Sequence, residues 1–135
     1  GYILPKIESF GIDSIKILKI GLPISYLVLF MIIYLGQKAG ATLFAFYILA
    51  SIVISLTQPA IALTFAKNFA GKALTSFNVF LFSGTFFMQW GIGLIIDFCT
   101  YLGFERVLSY QVSFFCFLLL CIFSYSFFML KNKNA

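Results

Sequence analysis

The sequence predicts an all-α membrane protein, a bundle of four transmembrane helices, from two observations. Apolar residues make up 62% of the 135-residue chain and charged residues only 10%, whereas soluble domains contain about 25% charged residues. In addition, four long windows contain no Lys, Arg, Asp or Glu: residues 20–37, 39–66, 73–96 and 107–130. A domain of this size cannot bury so much apolar surface in its own core, so we expect the excess to face lipid.

Each window is long enough for one transmembrane helix, because about 20 apolar residues cross a hydrocarbon layer of roughly 30 Å. We place the four spans of a single domain (1–135) at about these residues: 20–36, 41–65, 73–96 and 107–130. Gly36 and Gly40 bracket a tight turn between the first two spans. Residues 66–72 and 97–106 are expected to form the remaining two connections.

The basic residues in these connections predict the orientation of the chain. Residues 1–19 are expected to form an interfacial segment and a helix start, on the same side as the loop at 66–72 and the C-terminal tail. These three segments hold seven lysines: Lys6, Lys16, Lys19, Lys67, Lys72, Lys131 and Lys133. The opposite side holds only Lys38 and Arg106. Because short cytoplasmic loops carry the excess of Lys and Arg, both termini are predicted to be cytoplasmic.

Composition also excludes several classes of function. The net charge of +5 comes from residues at the window ends instead of a basic stripe, which argues against nucleic acid as a partner. The chain has no His, so the usual Ser-His and Cys-His nucleophile pairs cannot form and we expect no catalytic residues. Cys99, Cys116 and Cys121 match no zinc-site spacing, and we interpret them as packing residues. No metal or cofactor is predicted.

Polar residues inside the third span carry the functional information, because lipid offers them no hydrogen-bond partner. At about 100° per residue, six positions fall on one face of this helix: Thr75, Asn78, Phe82, Thr85, Gln89 and Gly93. Gly84 and Gly91 lie on another face, where the absence of a side chain favours close packing of a neighbouring helix. The third span therefore has one face typical of lining and one typical of packing.

The second span carries a shorter polar stripe that includes Ser55 and Gln58. Pro59 follows directly, and because it has no N–H we expect the carbonyl of Ser55 to lose its partner and the helix to kink. For Gln58, Asn78, Thr85 and Gln89, two interpretations remain open: lining of a cavity, and hydrogen bonding between helices.

Charged residues are confined to the ends of the spans. No ionisable Asp, Glu, Lys or Arg lies near the middle of any span, so the sequence offers no proton relay of the kind that pumps use. Asp97, at the outer end of the third span, is interpreted either as a helix-end anchor or as a residue with a gating or ion role.

The segment from Gly71 to Asp97, GKALTSFNVFLFSGTFFMQWGIGLIID, resembles the cytoplasmic loop and penultimate span of bacterial transporters of the major facilitator superfamily. The residues that carry the resemblance are Gly71, Lys72, Ala73, Leu74, Thr75, Asn78, Gly84, Gln89, Trp90, Gly91, Gly93 and Asp97. Residues 1–21 are similar to the loop before the ninth span of that family, and the tail through Lys133 is similar to the twelfth span and its cytoplasmic end. The resemblance thus covers the last four of twelve spans.

What this resemblance implies is a fragment of a secondary transporter in a bacterial inner membrane, moving a small solute by alternating access. The first and fourth spans would be peripheral, the second and third would line the cavity, and the partners would be lipid, the solute and the preceding spans of the same transporter. The alternative is a self-contained four-span structural or assembly subunit, in which the amides join helices.

Overall fold

The computed structural model describes residues 14–133, and every regular element within that range is helical. The prediction of an all-α chain is therefore confirmed. The helices are α1 (Ser14–Leu35), α2 (Ala41–Ser51), α3 (Thr57–Thr64), α4 (Lys67–Tyr101) and α5 (Arg106–Lys133), with 3-10 segments at Gly36–Lys38 and Ile52–Leu56. The expectations for the segment before Ser14 and for the last two residues lie outside the described residues.

Three helical segments are long and apolar enough to cross a membrane: Ile15–Lys38, Asn68–Tyr101 and Arg106–Lys131. They coincide with the first, third and fourth predicted spans and are compatible with a membrane protein. The second predicted span differs, because the apolar helix Ala41–Leu56 is shorter and is followed by the separate helix α3.

In the third span, the helix is longer than the charge-free window 73–96 that predicted it. The predicted loop at 66–72 is wrong over most of its length, because α4 begins at Lys67 and continues to Tyr101. A charge-free window marks the part of a helix suited to hydrocarbon, whereas the helix itself continues into the polar layer. α4 ends at Tyr101, and the chain turns away at Gly103, whose φ of 84° suits glycine. The N–H of Phe104 donates to the carbonyl of Cys99 at 3.0 Å and closes the end of the helix.

The helices pack in an order different from the chain order. α1 contacts α2 and the second 3-10 segment on one side and α5 on the other, while α4 contacts α3 and α5. A small core of Leu29, Ile33 and Leu118 joins α1 to α5. The α1–α5 pair is therefore the centre of the described bundle.

Two hydrogen bonds fix the register of this antiparallel pair. The Tyr125 hydroxyl donates to the carbonyl oxygen of Lys19 at 2.7 Å, and Gln111 Nε2 donates to the carbonyl oxygen of Ile33 at 2.6 Å. Lys19 precedes Ile33 in α1, whereas Gln111 precedes Tyr125 in α5. The two side chains from α5 thus bond the backbone of α1 at two levels along the pair.

Small residues bring other helices close to each other. A Cβ at Gly21 of α1 would lie 2.8 Å and 2.9 Å from the two γ-methyl carbons of Val53 in the second 3-10 segment. Ser109 and Ser113 of α5 are fully buried, and their hydroxyls donate to the carbonyls of Glu105 and Ser109 on their own helix. The close approach at Gly21 thus brings the second 3-10 segment against α1, and the buried serines leave α5 with little side-chain volume at these positions.

Candidate functional site

The polar stripe of the third span lies on α4, the longest helix. Lys72 and Asp97, both exposed, bracket the charge-free stretch 73–96, which is about 36 Å long at 1.5 Å per residue. Asn78 and Gln89 then lie about 10 Å and 7 Å from its midpoint, within the roughly 15 Å half-thickness of a hydrocarbon layer. If α4 crosses a membrane, the stripe therefore lies at a depth where an unpartnered amide is costly.

Within residues 14–133, the neighbours of α4 leave its most apolar part at least partly exposed. No residue in the most apolar part of this helix is buried by its neighbours. Thr85 and Gln89 of the stripe are exposed and Asn78 is half-buried. The structure thus places these residues on one surface that is open to whatever surrounds the chain.

The threonine hydroxyls of the stripe are satisfied within α4 itself. Thr75 Oγ1 donates to the carbonyl of Gly71 at 3.0 Å, and Thr85 Oγ1 donates to the carbonyl of Leu81 at 2.8 Å. Such bonds to the preceding turn satisfy a hydroxyl without a second helix. The hydroxyl hydrogen of Thr85 therefore already has a partner within α4, and this side chain does not require a second helix.

The amides differ from the hydroxyls. Over residues 14–133, neither Asn78 nor Gln89 forms a hydrogen bond to another helix, whereas Gln111 does. An amide has two donors and an acceptor with two lone pairs, all of which need partners inside a membrane. The stripe therefore presents hydrogen-bonding capacity that the described part of the chain leaves for water, a solute or another protein.

Gln58 lies on a different helix, next to the interruption of the second span. It is exposed and is the second residue of α3. The preceding 3-10 segment bonds over three residues, and the hydroxyls of Ser55 and Thr57 donate to the carbonyls of Ile52 and Ile54 at 2.7 Å and 2.6 Å. Pro59 follows this 3-10 segment and lies in the first turn of α3. The lack of a backbone N–H destabilises a helix little in its first turn. The kink itself, and cavity lining by Gln58, stay predictions.

The two glycines expected to pack lie in different surroundings. A Cβ at either Gly84 or Gly91 would meet no atom within 4 Å. Gly91 nevertheless borders a narrow cleft of about 90 Å³ between α4 and α5, which Ser113 and Cys116 line from the other side. Gly84 is exposed and no described helix packs against it. Its predicted role in helix packing therefore stays a prediction, which requires a partner other than the described residues.

Sequence reasoning missed the polar residues that join two helices. Gln111 and Tyr125 lie in the fourth span, which the resemblance to a transporter implies is peripheral, yet they make both bonds to the α1 backbone. One signal was present in the sequence. Pro23 lies inside α1, and a proline there leaves the carbonyl four residues earlier, that of Lys19, without its helical N–H partner.

No group of three or more His, Cys, Asp or Glu residues is placed to hold a metal ion within the described range. The three cysteines are free; Cys99 is buried and Cys116 and Cys121 are half-buried. The site is therefore one of amides, hydroxyls and aromatic surface.

Comparison with protein-family models, with curated proteins and with solved structures finds no match to this chain. The resemblance to a transporter family accordingly rests on the sequence motifs alone, chiefly on the segment from Gly71 to Asp97.

Proposed function

We propose that this chain is the C-terminal four-span part of a secondary transporter of the major facilitator type, in which α4 lines the path of a small solute. The spans would be α1, the interrupted segment from α2 to α3, α4 and α5. The chain would lie in a bacterial inner membrane with both termini in the cytoplasm, as the lysine distribution predicts.

The observation that carries this proposal is the open amide stripe on α4. Gln89 is exposed at membrane depth and has no interhelical hydrogen bond over residues 14–133. Lipid tails cannot satisfy an amide, so such residues face protein or a water-filled cavity. The amides of the stripe therefore need hydrogen-bond partners that the four spans do not provide. In a transporter, the water-filled cavity between this half and the opposing half would provide them.

The α1–α5 pair fits a supporting role in the same proposal. Two polar side chains of α5, Gln111 and Tyr125, bond the α1 backbone at Ile33 and Lys19. The remaining surface of the pair is rich in exposed apolar side chains such as Leu27, Phe30 and Phe123, which suit contact with acyl chains. Because the Gln111 amide and the Tyr125 hydroxyl are hydrogen-bonded within the α1–α5 pair, α1 and α5 would lie outside the solute path.

Cysteine labelling in the full-length gene product tests the proposal. In a background with Ala at Cys99, Cys116 and Cys121, Gln89→Cys should react with a small water-soluble maleimide added to intact cells. Gly84→Cys is the matched control: it lies on the same helix, tolerates a side chain and faces away from the stripe, so it should stay unlabelled. Equal protection at both positions would contradict the proposal.

A second candidate is a self-contained four-span assembly subunit. The same observation supports it, because an exposed amide stripe also suits a helix of a partner subunit. The size of the native gene product separates the two: the subunit has the 15.2 kDa of this chain, whereas a twelve-span transporter has about three times that mass. In the subunit, both Gln89→Cys and Gly84→Cys should stay unlabelled.

A further inference from the structure

An apolar groove runs along the junction of α1 and α5, apart from the polar stripe. It encloses about 320 Å³. Its α1 wall consists of Pro23, Tyr26, Leu27 and Phe30, and its α5 wall consists of Leu118, Ile122 and Tyr125. From Pro23 to Phe30 the groove follows α1 for about 10 Å, which suits one extended hydrocarbon chain.

The groove has a defined end at Tyr125. The Tyr125 ring lies edge-on to that of Tyr26, with centroids 6.0 Å apart. Its hydroxyl donates to the carbonyl of Lys19 at 2.7 Å, which places the backbone of Lys19 beside this end. An occupant that extends past Tyr125 therefore meets the first two turns of α1.

Two lysines stand beyond that end, on the same face of α1 as the groove. At about 100° per residue, Lys16 and Lys19 fall within roughly 80° of Pro23, Tyr26 and Phe30. Lys16 is exposed and Lys19 is half-buried. The acidic residues of the described range are Asp97, near the C-terminal end of α4, and Glu105, just before α5. The start of α5 lies beside the end of α1, far along the helix pair from Lys16 and Lys19. Over residues 14–133, the face thus combines an apolar groove with a positively charged end.

We propose that this face binds an anionic phospholipid, with an acyl chain in the groove and the phosphate at Lys16 and Lys19. The lysine stems reach along the helix to the headgroup layer while their ammonium groups stay hydrated. Basic residues beside a groove between transmembrane helices are suited to anionic headgroups, and charge complementarity favours such a lipid over a zwitterionic one. This inference rests on the membrane-spanning part of the proposed function and is independent of transport.

Native mass spectrometry of the chain, extracted in mild detergent with equal amounts of phosphatidylglycerol and phosphatidylcholine, tests the inference. Membranes are first washed with alkaline carbonate. Loss of the wild-type chain in that wash would overturn the membrane-spanning proposal and this inference with it. Retention of the chain without preference for phosphatidylglycerol would overturn this inference alone.

Three variants locate the lipid. The Lys16→Gln/Lys19→Gln double variant should lower the retained phosphatidylglycerol by about fivefold for each lysine removed, while Lys16→Arg/Lys19→Arg should retain it. Lys38→Gln, at the other end of α1, is the matched control and should have no effect; a loss as large as that of the double variant would overturn the assignment. Ile122→Trp fills the groove without changing charge and should also lower retention, and unchanged binding there would overturn the groove as the acyl site.

Discussion

The hydroxyl of Tyr125 donates a hydrogen bond of 2.7 Å to the carbonyl oxygen of Lys19, the carbonyl that Pro23 leaves without a partner in α1. A transmembrane helix tolerates proline only where something else satisfies the freed backbone group. Here a side chain from the far end of the sequence does so. The proline in α1 and the tyrosine in α5 therefore act as one structural unit.

Removal of the Tyr125 hydroxyl should destabilise the bundle in a manner that depends on Pro23. Tyr125→Phe should lower the free energy of unfolding by about 1 kcal/mol, the size of a good interhelical bond in a membrane protein. In a Pro23→Ala background, the new N–H can bond the Lys19 carbonyl, so the cost should shrink by at least about half. Denaturation in micelles with sodium dodecyl sulfate, followed by circular dichroism, measures both values. An equal cost in the two backgrounds would show that the two residues are uncoupled.

Loss of the Gln111 amide should destabilise the other end of the same helix pair. Gln111→Met keeps the length of the side chain but removes the donor to the Ile33 carbonyl, and should cost about 1 kcal/mol in the same assay. Gln89→Met is the control, because Gln89 is exposed and joins no other helix over residues 14–133; its effect on this isolated chain should stay below about 0.5 kcal/mol. A larger loss for Gln89→Met than for Gln111→Met would contradict the arrangement.

A methyl group at Gly21 should be poorly tolerated. In Gly21→Ala, the added Cβ would lie 2.8 Å from a γ-carbon of Val53, whose branched side chain has little freedom to move. We expect overpacking of about 1–3 kcal/mol, partly offset by a gain of up to about 1 kcal/mol in helix propensity. Thermal unfolding in micelles should therefore show a lower midpoint.

Two matched variants check the cause of that loss. Gly84→Ala meets no atom within 4 Å and should be neutral or slightly stabilising. Val53→Ala removes the two γ-carbons that the new methyl group would approach most closely and leaves only the Cβ, at 3.2 Å, so Gly21→Ala should lower the midpoint much less in that background. Persistence of the loss would place its origin elsewhere than in this contact.

At Ser109, the free energy of unfolding should depend on the size of the side chain and not on its hydroxyl group. Its side chain is fully buried and bonds only the preceding turn, at the Glu105 carbonyl. Ser109→Ala should change the free energy of unfolding by less than about 0.5 kcal/mol, whereas Ser109→Leu should lower it by about 1–3 kcal/mol. Ser126→Leu is the control, since Ser126 makes the same type of bond at an exposed position. Equal effects of leucine at the two sites would refute close packing at Ser109.

The sequence was sufficient for those features that depend on local composition. Charge-free windows located α1, α4 and α5, because hydropathy is a sum over neighbouring residues. The turn at Gly36 followed from glycine, whose φ of 52° is unfavourable for other residues. The helix starts were less predictable: α4 begins at Lys67, since a charged residue ends a hydrophobic window without ending a helix.

The candidate site was predictable only as a stripe. The spacing from Thr75 to Gln89 defines one helix face by geometry alone, and the structure leaves that face open to the surroundings. Which amides would join helices was not predictable, because Gln89 and Gln111 are the same residue type in equally apolar surroundings. Only the neighbour opposite each one distinguishes them.

By itself, the sequence determined an all-helical chain with four apolar windows, three of which coincide with helices long and apolar enough to cross a membrane, and a polar stripe along one face of one of them. The tertiary structure decided that α1 pairs with α5, that Tyr125 and Gln111 satisfy the backbone of α1, and that the second span is divided by a 3-10 segment beside Gly21. The physical reason is the sequence separation over which each effect acts. Hydropathy and helix periodicity depend on residues within a few turns of one helix. A carbonyl freed by Pro23 can instead accept a hydrogen bond from any donor that packing brings to it, here from a residue more than one hundred positions away.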